Sequence, residues 1–459
     1  MADVEGGRPS PSVAARWVIL SLTCGGLFGQ FYAFDVPSAL NEQLRRHMVE
    51  HTSTSHEEYT YYFNLLYSAY SIPNMFLPLV LGIAVDKCGC RALICVLGLC
   101  VVLGQAMVAL GVGSASWSLM LAGRIVFGIG GESMQVAQNC LLFRWFKGRE
   151  VAFALGLNLS VARAGSVLND VLSPWFAQGE GVLGAMWLGF ALCVASFACN
   201  VWSVVLDKGE SERQGLRDEG GGDDVSLRDV LRMPKVFWML TGLCVLLYAC
   251  ILPFNNIASA FFIETFFAGL PLAQAQRSAG NAMSLLFLCS AFGTPPFGCL
   301  VDVVGLRTRF LLLSAVAATL CYALIFVVPP MVSMLLLGVV YTCFAGALWP
   351  AFALVVPQEQ LGTAYGIATA LQNAGLAVVP LGVGYLQVRD GKGDFTGVIE
   401  LFLVFGVLSI FLALAIFRES LVSKGTLDLP SSEAELAFEA GENLRLGAGG
   451  AQKGPKGNE

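Results

Sequence analysis

Five ionisable residues stand inside long apolar stretches of this 459-residue sequence: Asp35, Arg124, Glu132, Arg163 and Asp170. A charge at the centre of a bilayer costs about 2.5–3.5 kcal/mol on insertion scales, so each calls for a reason. Glu132 and Arg163 fall near the middle of their runs. Residues three or four apart meet on one helix surface. Glu132 therefore shares a face with Gln135 and Asn139, and Arg163 with Ser160, Ser166 and Asp170. Two such polar stripes turned to a common interior make a wet cavity. An anion and a cation at one depth suit a zwitterion, with an amine on Glu132 and a carboxylate on the planar fork of Arg163. The competing reading is that the charges only tie helices together, Glu132 to Arg163 and Arg124 to Asp35 or Asp170. That reading is preferred for Arg124, which precedes the small residues Gly128, Gly130 and Gly131, so Asp35, Arg124 and Asp170 are taken as structural charges. For Glu132 and Arg163 ligand binding is preferred.

The elements that must carry these residues follow from composition. Hydrophobic residues make up 56% of the chain and charged ones 13%, with a mean hydropathy of +0.68. Soluble domains have about 45–50% apolar and about 25% charged residues. An ordinary soluble enzyme and a disordered chain are both excluded. A membrane-crossing helix needs roughly 20 mostly apolar residues, and twelve such runs can be traced. The expected organisation is a tail over residues 1–16, a six-helix bundle over 17–206 and a polar linker over 207–235. A second six-helix bundle over 236–417 and an unstructured tail over 418–459 follow. If both ends and the linker share one side, that side carries twenty Lys and Arg and the other five. The positive-inside rule then puts both termini in the cytosol.

The second bundle has no midspan charge. Its runs offer Tyr248, Asn255, Asn256, Asn281, Ser284, Tyr341, Trp349, Gln372 and Asn373, and Tyr67 and Tyr70 of the first bundle join them as candidates for ligand contact. Pro253 and Pro350 supply kinks for motion. All three histidines, His47, His51 and His56, fall in one non-cytosolic loop, so no histidine relay crosses the membrane. The fourteen cysteines sit mostly within apolar runs and read as buried free thiols. Cys88 and Cys90 flank Gly89 at a spacing that suits no standard zinc site. No metal, cofactor, nucleic-acid partner or enzymatic activity is indicated.

The halves repeat each other. Gly82, Asp86, Gly89 and Arg91 lie between runs two and three, and Gly298, Asp302, Gly305 and Arg307 lie 216 positions on, between runs eight and nine. Gly82 and Gly298 are small enough for close helix contact. Asp86 and Asp302 can accept from helix N-termini or pair with Arg91 and Arg307. Repeated halves with a site between them are a transporter architecture. The spacing Gly-x-x-x-Asp-x-x-Gly-x-Arg resembles the signature loop of the major facilitator superfamily. That resemblance implies an all-α membrane protein of twelve helices in two pseudo-symmetric bundles, with the loops gating the cytosolic side.

The stretch GRIVFGIGGESMQVAQNCLLFRWFKGREVAFALGLNLSVARAGSVLN from Gly123, with FDVPSAL from Phe34 and LLYSAYSIPN from Leu65, is similar to one branch of that superfamily, the lysosomal dipeptide transporters. This match covers most of the first six runs, while the second half resembles the superfamily more than the branch. The resemblance implies uniport of dipeptides out of the lysosome or an equivalent acidic compartment. The helix 4 glutamate and helix 5 arginine that hold the dipeptide termini correspond to Glu132 and Arg163. It also implies a glycosylated single-pass accessory subunit, although the short amino-terminal tail here has no acidic dileucine signal. The expected surroundings are the lipid bilayer of a lysosome or vacuole, with the plasma membrane as the alternative. A proton-coupled carrier of another organic anion or amino acid, and a receptor-like protein that does not transport, are the competing functions.

Overall fold

The structure is a computed structural model describing residues 13–52, 54–146, 149–214, 233–356, 361–391, 393–422, 426–430 and 433. Among the described residues the regular elements are α-helices and one 3-10 turn. They are α1 (Val13–Ala39), α2 (Asn41–Thr52), α3 (His56–Asn74), α4 (Leu77–Gly113), α5 (Trp117–Trp145) and α6 (Arg149–Gln214). The second half contains α7 (Lys235–Thr265), α8 (Leu272–Val304), α9 (Arg307–Ala323), α10 (Pro330–Ala353), α11 (Leu361–Asp390) and α12 (Thr396–Val422). The short turn Thr426–Asp428 follows.

Two long helices are each two rods. α4 breaks at Gly89 (φ 73°, ψ 149°) and α6 at Gly181 (φ 73°, ψ 177°), in a left-handed region that glycine enters without steric penalty. The second expected run is broken too, between α3 and α4, where Pro73 and Pro78 flank Met75 and Phe76. With α3 and the first arm of α4 taken as one rod, and the short polar α2 set aside, twelve rods result. This is the twelve-helix, two-bundle membrane architecture. Several rods, α5 among them, are not apolar enough to register as spans on their own, because they turn polar residues to the interior.

Within the first half α1 packs on α6 and α4 on α5; within the second α8 packs on α10, and α9 and α7 on α12. The halves meet along α3 with α11 and along α6 with α8. At the end of the molecule that carries α2 they are joined by polar side chains. Gln43 Nε2 donates to Gln276 Oε1 at 2.7 Å, Asn64 Nδ2 to Gln387 Oε1 at 3.0 Å, and Arg277 Nη2 to Gln178 Oε1 at 2.7 Å. Close backbone approach adds to this, since a Cβ on Gly280 would collide with the Asp170 carbonyl. That end is closed.

Two expectations at the chain's margins change. The linker was expected from residue 207, yet α6 continues to Gln214; residues 215–232 lie outside the described part. The tail was expected to lose structure from 418, yet α12 runs to Val422 and Thr426–Asp428 packs back with Leu427 buried. An apolar leucine among polar neighbours gives little sequence signal, and its binding place is made by another loop.

Candidate functional site

A cavity of about 590 Å³ lies between the halves. Its lining reaches Pro78, Gly298, Pro350 and Tyr365, toward the end opposite α2. Glu132, Asn139 and Arg163 line it from the first half, together with Tyr67 and Tyr70. Asn255, Asn256, Tyr341, Trp349 and Gln372 line it from the second, and Asn373 reaches it through a hydrogen bond to Glu132. Asn281 is not in the wall.

The glycines of α5 set the depth of Glu132. A Cβ on Gly128 would collide with the Tyr70 carbonyl, so α5 lies directly against α3. Gln30 Nε2 donates to the Gly131 carbonyl at 2.9 Å and fixes α5 against α1. Glu132 Oε2 accepts from Asn373 Nδ2 at 2.7 Å, across the interface between halves. Arg163 Nη2 donates to Tyr341 Oη at 2.6 Å, also across it. The guanidinium carbon of Arg163 stands 5.2 Å from the Phe31 ring, 5.4 Å from Tyr341 and 5.6 Å from Phe287, within cation–π range. Glu132 and Arg163 thus do not pair with each other: no ion pair within 4 Å joins them among the described residues. The competing reading, a mutual salt bridge, gives way to two neutral partners from the opposite half.

The remaining buried polar atoms sort by chemistry. Among the described residues Arg163 Nε is a donor with no hydrogen-bond partner, and Asn373 Oδ1, Asn255 Oδ1 and Gln30 Oε1 are acceptors with none. Elsewhere in the wall Asp35 Oδ1 and the hydroxyls of Tyr67 and Ser133 also lack one. Buried polar groups are normally satisfied, so exceptions in a cavity wall point to something that completes them. A spare donor on the guanidinium itself suits a carboxylate. A spare acceptor on the amide that touches Glu132 suits an ammonium.

Arg124 behaves differently from its expectation. It makes no ion pair with Asp35 or Asp170 within 4 Å among the described residues; its Nη2 donates to the Phe34 carbonyl at 2.8 Å. The guanidinium lies among the rings of Tyr67 (5.2 Å), Phe34 (5.4 Å) and Phe127 (5.9 Å). Aromatic faces thus solvate the charge where a carboxylate was expected. Asp170 is fully buried, accepts from Asn169 Nδ2 at 3.3 Å and feels the charge of Asp35. Asp35, expected to be structural, lines the cavity.

Sequence reasoning missed Gln30, Phe31, Phe34, Phe287, Tyr365 and Thr369 in the lining. The spacing of 30, 31, 34 and 35 is one helical face ending in a charge, a signal that could have found the first three.

The two signature loops differ in detail. In the first, Arg91 Nε donates to Asp207 Oδ2 at 2.6 Å, and Trp145 Nε1 donates to Asp207 Oδ1 at 2.7 Å. Gly82 and Asp86 fall in α4, with side chains outside the described part. In the second, Arg307 Nη2 lies 3.6 Å from Asp302 Oδ1, and Arg307 Nη1 donates to the Leu429 carbonyl at 2.8 Å. Gly298 has open space where a Cβ would sit and faces the cavity, so helix packing does not require a glycine there. Gly305 is the glycine the second loop requires. It has φ 70°, and a Cβ there would collide with the Asp428 carbonyl. The thirteen cysteines described are free, and no cluster of metal-ligating side chains occurs among the described residues.

Comparison with known proteins agrees with this architecture. The sequence pattern of the Major Facilitator Superfamily matches residues 18–277 and 254–446. The lysosomal dipeptide transporter MFSD1 of Mus musculus is 35% identical over 440 residues, covering 92% of this chain and 90% of that protein. The Danio rerio protein of the same name is 35% identical over 393 residues, covering 82% and 81%. Similarity to this branch therefore extends through both halves, further than the first six runs that the quoted segments indicate. Among solved structures, the nucleoside transporter NupG superimposes with a TM-score of 0.65 at 15% identity, covering 88% of this chain and 98% of that one, a likeness of fold. The chain belongs to the major facilitator superfamily of transporters and, within it, to the family of MFSD1.

Proposed function

We propose that this protein is an alternating-access carrier that moves dipeptides with free ends by uniport. The observation that carries the reading is the pairing at the cavity's centre. Glu132 and Arg163, both on the first half, each take their side-chain hydrogen bond, among the described residues, from a neutral group of the second half, beside a spare acceptor and a spare donor. The charged ends of a dipeptide have a backbone separation that does not depend on its side chains, so one anion and one cation can recognise many dipeptides. The remaining wall of amides and rings then meets the side chains. The resemblance to lysosomal dipeptide transporters supports the same substrate and a lysosomal or vacuolar membrane. Positive-inside charge placement supports cytosolic termini, and the branch resemblance supports a glycosylated single-pass accessory subunit. Asp86, Asp302 and the arginines of the two signature loops serve as the gate, so neutralising Asp86 or Asp302 should slow turnover more than it weakens binding.

The test is uptake of a labelled dipeptide into proteoliposomes, competed by its N-acetylated form, its C-terminal amide and the free amino acids. Both blocked forms and the amino acids should compete weakly. Equal competition by the acetylated form would overturn the assignment of Glu132, and absence of uptake with retained binding would indicate a receptor. A second reading, a proton-coupled carrier of an organic anion or amino acid, draws on Asp35 and Asp170, buried carboxylates without an ion pair within 4 Å among the described residues. Concentrative uptake driven by a pH step alone would favour it.

A further inference from the structure

We propose that Tyr341 and Asn373 are stand-ins for the substrate's two ends, which let the empty carrier reorient. The proposal rests on the dipeptide reading above and adds a role for the second half in the return step.

A uniporter must complete its cycle with nothing bound. When the halves close over an empty cavity, any fixed charge in the wall is taken out of water, at a penalty of several kcal/mol per ion in proteins. Glu132 and Arg163 both sit on the first half, so neither can be covered by an opposite charge from the second, whose cavity wall is neutral. Each is instead covered by a group of matched polarity. The Tyr341 hydroxyl oxygen accepts from Arg163, as a carboxylate oxygen would. The Asn373 amide N–H donates to Glu132, as an ammonium would. Acceptor stands for acceptor and donor for donor. Both surrogates come from the moving partner half, from α10 and α11, and both are buried, Tyr341 at 2% exposure and Asn373 at 0%. Both are also held in place: the Tyr341 ring lies edge-on to Tyr248 at 5.8 Å, and Asn373 Nδ2 has a second contact with the Thr369 carbonyl at 3.0 Å.

A neutral surrogate is a weaker partner than the charged terminus it imitates, since charge-assisted hydrogen bonds are roughly twice as strong. Substrate therefore displaces both groups. In the loaded carrier the termini satisfy the two charges and the surrogates are dispensable; in the empty carrier they are not. The geometry thus separates the two legs of the cycle.

The experiment compares two rates in proteoliposomes for wild type, Tyr341→Phe, Asn373→Leu and the double variant. One is zero-trans uptake of a labelled dipeptide, which needs the empty return; the other is uptake against unlabelled dipeptide inside, which does not. The ratio of exchange to net uptake should rise about tenfold or more in the double variant, because the empty return is slowed more than the loaded step. Equal losses in both rates, or no change in either, would overturn the proposal. If wild type carries no dipeptide, the substrate reading fails, and the stand-in role is judged separately by hydrogen exchange of the empty protein. There the double variant should shift protection in opposite directions at the two ends of the bundle, and identical exchange at both ends would overturn it.

Discussion

The two walls of the cavity are built on opposite principles. The first half places Asp35, Arg124, Glu132, Arg163 and Asp170 in its interior, whereas the cavity wall of the second half offers hydroxyls, amides and rings without a charge. In the cycle proposed above, keeping both anchoring charges on one bundle holds their separation constant while the bundles rock, so a ligand gripped at both ends is carried without being stretched. The neutral wall, in turn, can slide past those charges by exchanging one modest hydrogen bond for another, which keeps the barrier to motion low.

The comparison breaks most visibly at the cation. Removing one partner of a shielded charge pair costs about 3–5 kcal/mol, and each 1.4 kcal/mol is tenfold. Arg163→Ala should therefore lower dipeptide transport by at least ~100-fold while the protein still unfolds cooperatively near the wild-type temperature. C-terminally amidated substrates should be affected least. Normal transport of several dipeptides by that variant would remove Arg163 from the site.

The next effect concerns stability rather than transport. Arg91→Ala leaves the buried Asp207 carboxylate with Trp145 and with Arg144, whose Nη1 is 3.8 Å away. A loss of about 2 kcal/mol is expected, less than for a wholly unpaired buried ion. A thermal-unfolding series that includes the double variant Arg91→Ala/Asp207→Asn should recover part of it.

Arg124→Leu should cost only about 1 kcal/mol. It gives up the bond to the Phe34 carbonyl and the ring contacts, but it also removes two nitrogens, Nε and Nη1, that are buried without hydrogen-bond partners. Unfolding should move slightly and the ranking of dipeptide substrates should not move. A changed ranking would make Arg124 a ligand contact like Arg163.

The smallest effect lies on α2, outside the spans. Burial pushes the Glu42 carboxyl up, but hydrogen bonds from Arg45 and Arg46 outweigh it and hold the group below the ordinary glutamate value. A depressed folded-state value contributes stability that is present above the unfolded glutamate range and lost as pH falls through the folded value. Because the arginines are partly exposed, Glu42→Gln should cost less than about 1 kcal/mol at pH 7, and the gap to wild type should close in acid. Unfolding curves at both pH values test the sign.

Much of this was legible in the sequence. A buried charge costs so much that Glu132 and Arg163 announced themselves by position alone, and the 216-residue repeat gave the two-bundle plan. What each charge touches was not legible. Helical periodicity gives the face of a residue, but Tyr341 and Asn373 reach Arg163 and Glu132 from helices 178 and 241 positions further along the chain. Arg124 shows the same limit from the other side. Acids were counted as its partners because Asp35 and Asp170 fall at a similar depth in their runs, yet three rings scattered over α1, α3 and α5 do the solvating. The breaks at Gly89 in α4 and Gly181 in α6 were legible too, since each falls between two of the twelve apolar runs.

The short turn after α12 has a consequence for how the protein is made. Arg307 is buried, and the carbonyls of Leu427 and Leu429 take its Nη1, while the Asp428 carboxylate caps the first turn of α9 through the Thr308 amide at 2.9 Å. These groups stand about 120 positions after Arg307, so they are made after α9. The second signature loop is therefore completed only once the rest of the second bundle has been synthesised. A stop just after Val422 would leave all twelve rods in place and this loop unlatched, and a fusion partner joined there in place of the turn would do the same.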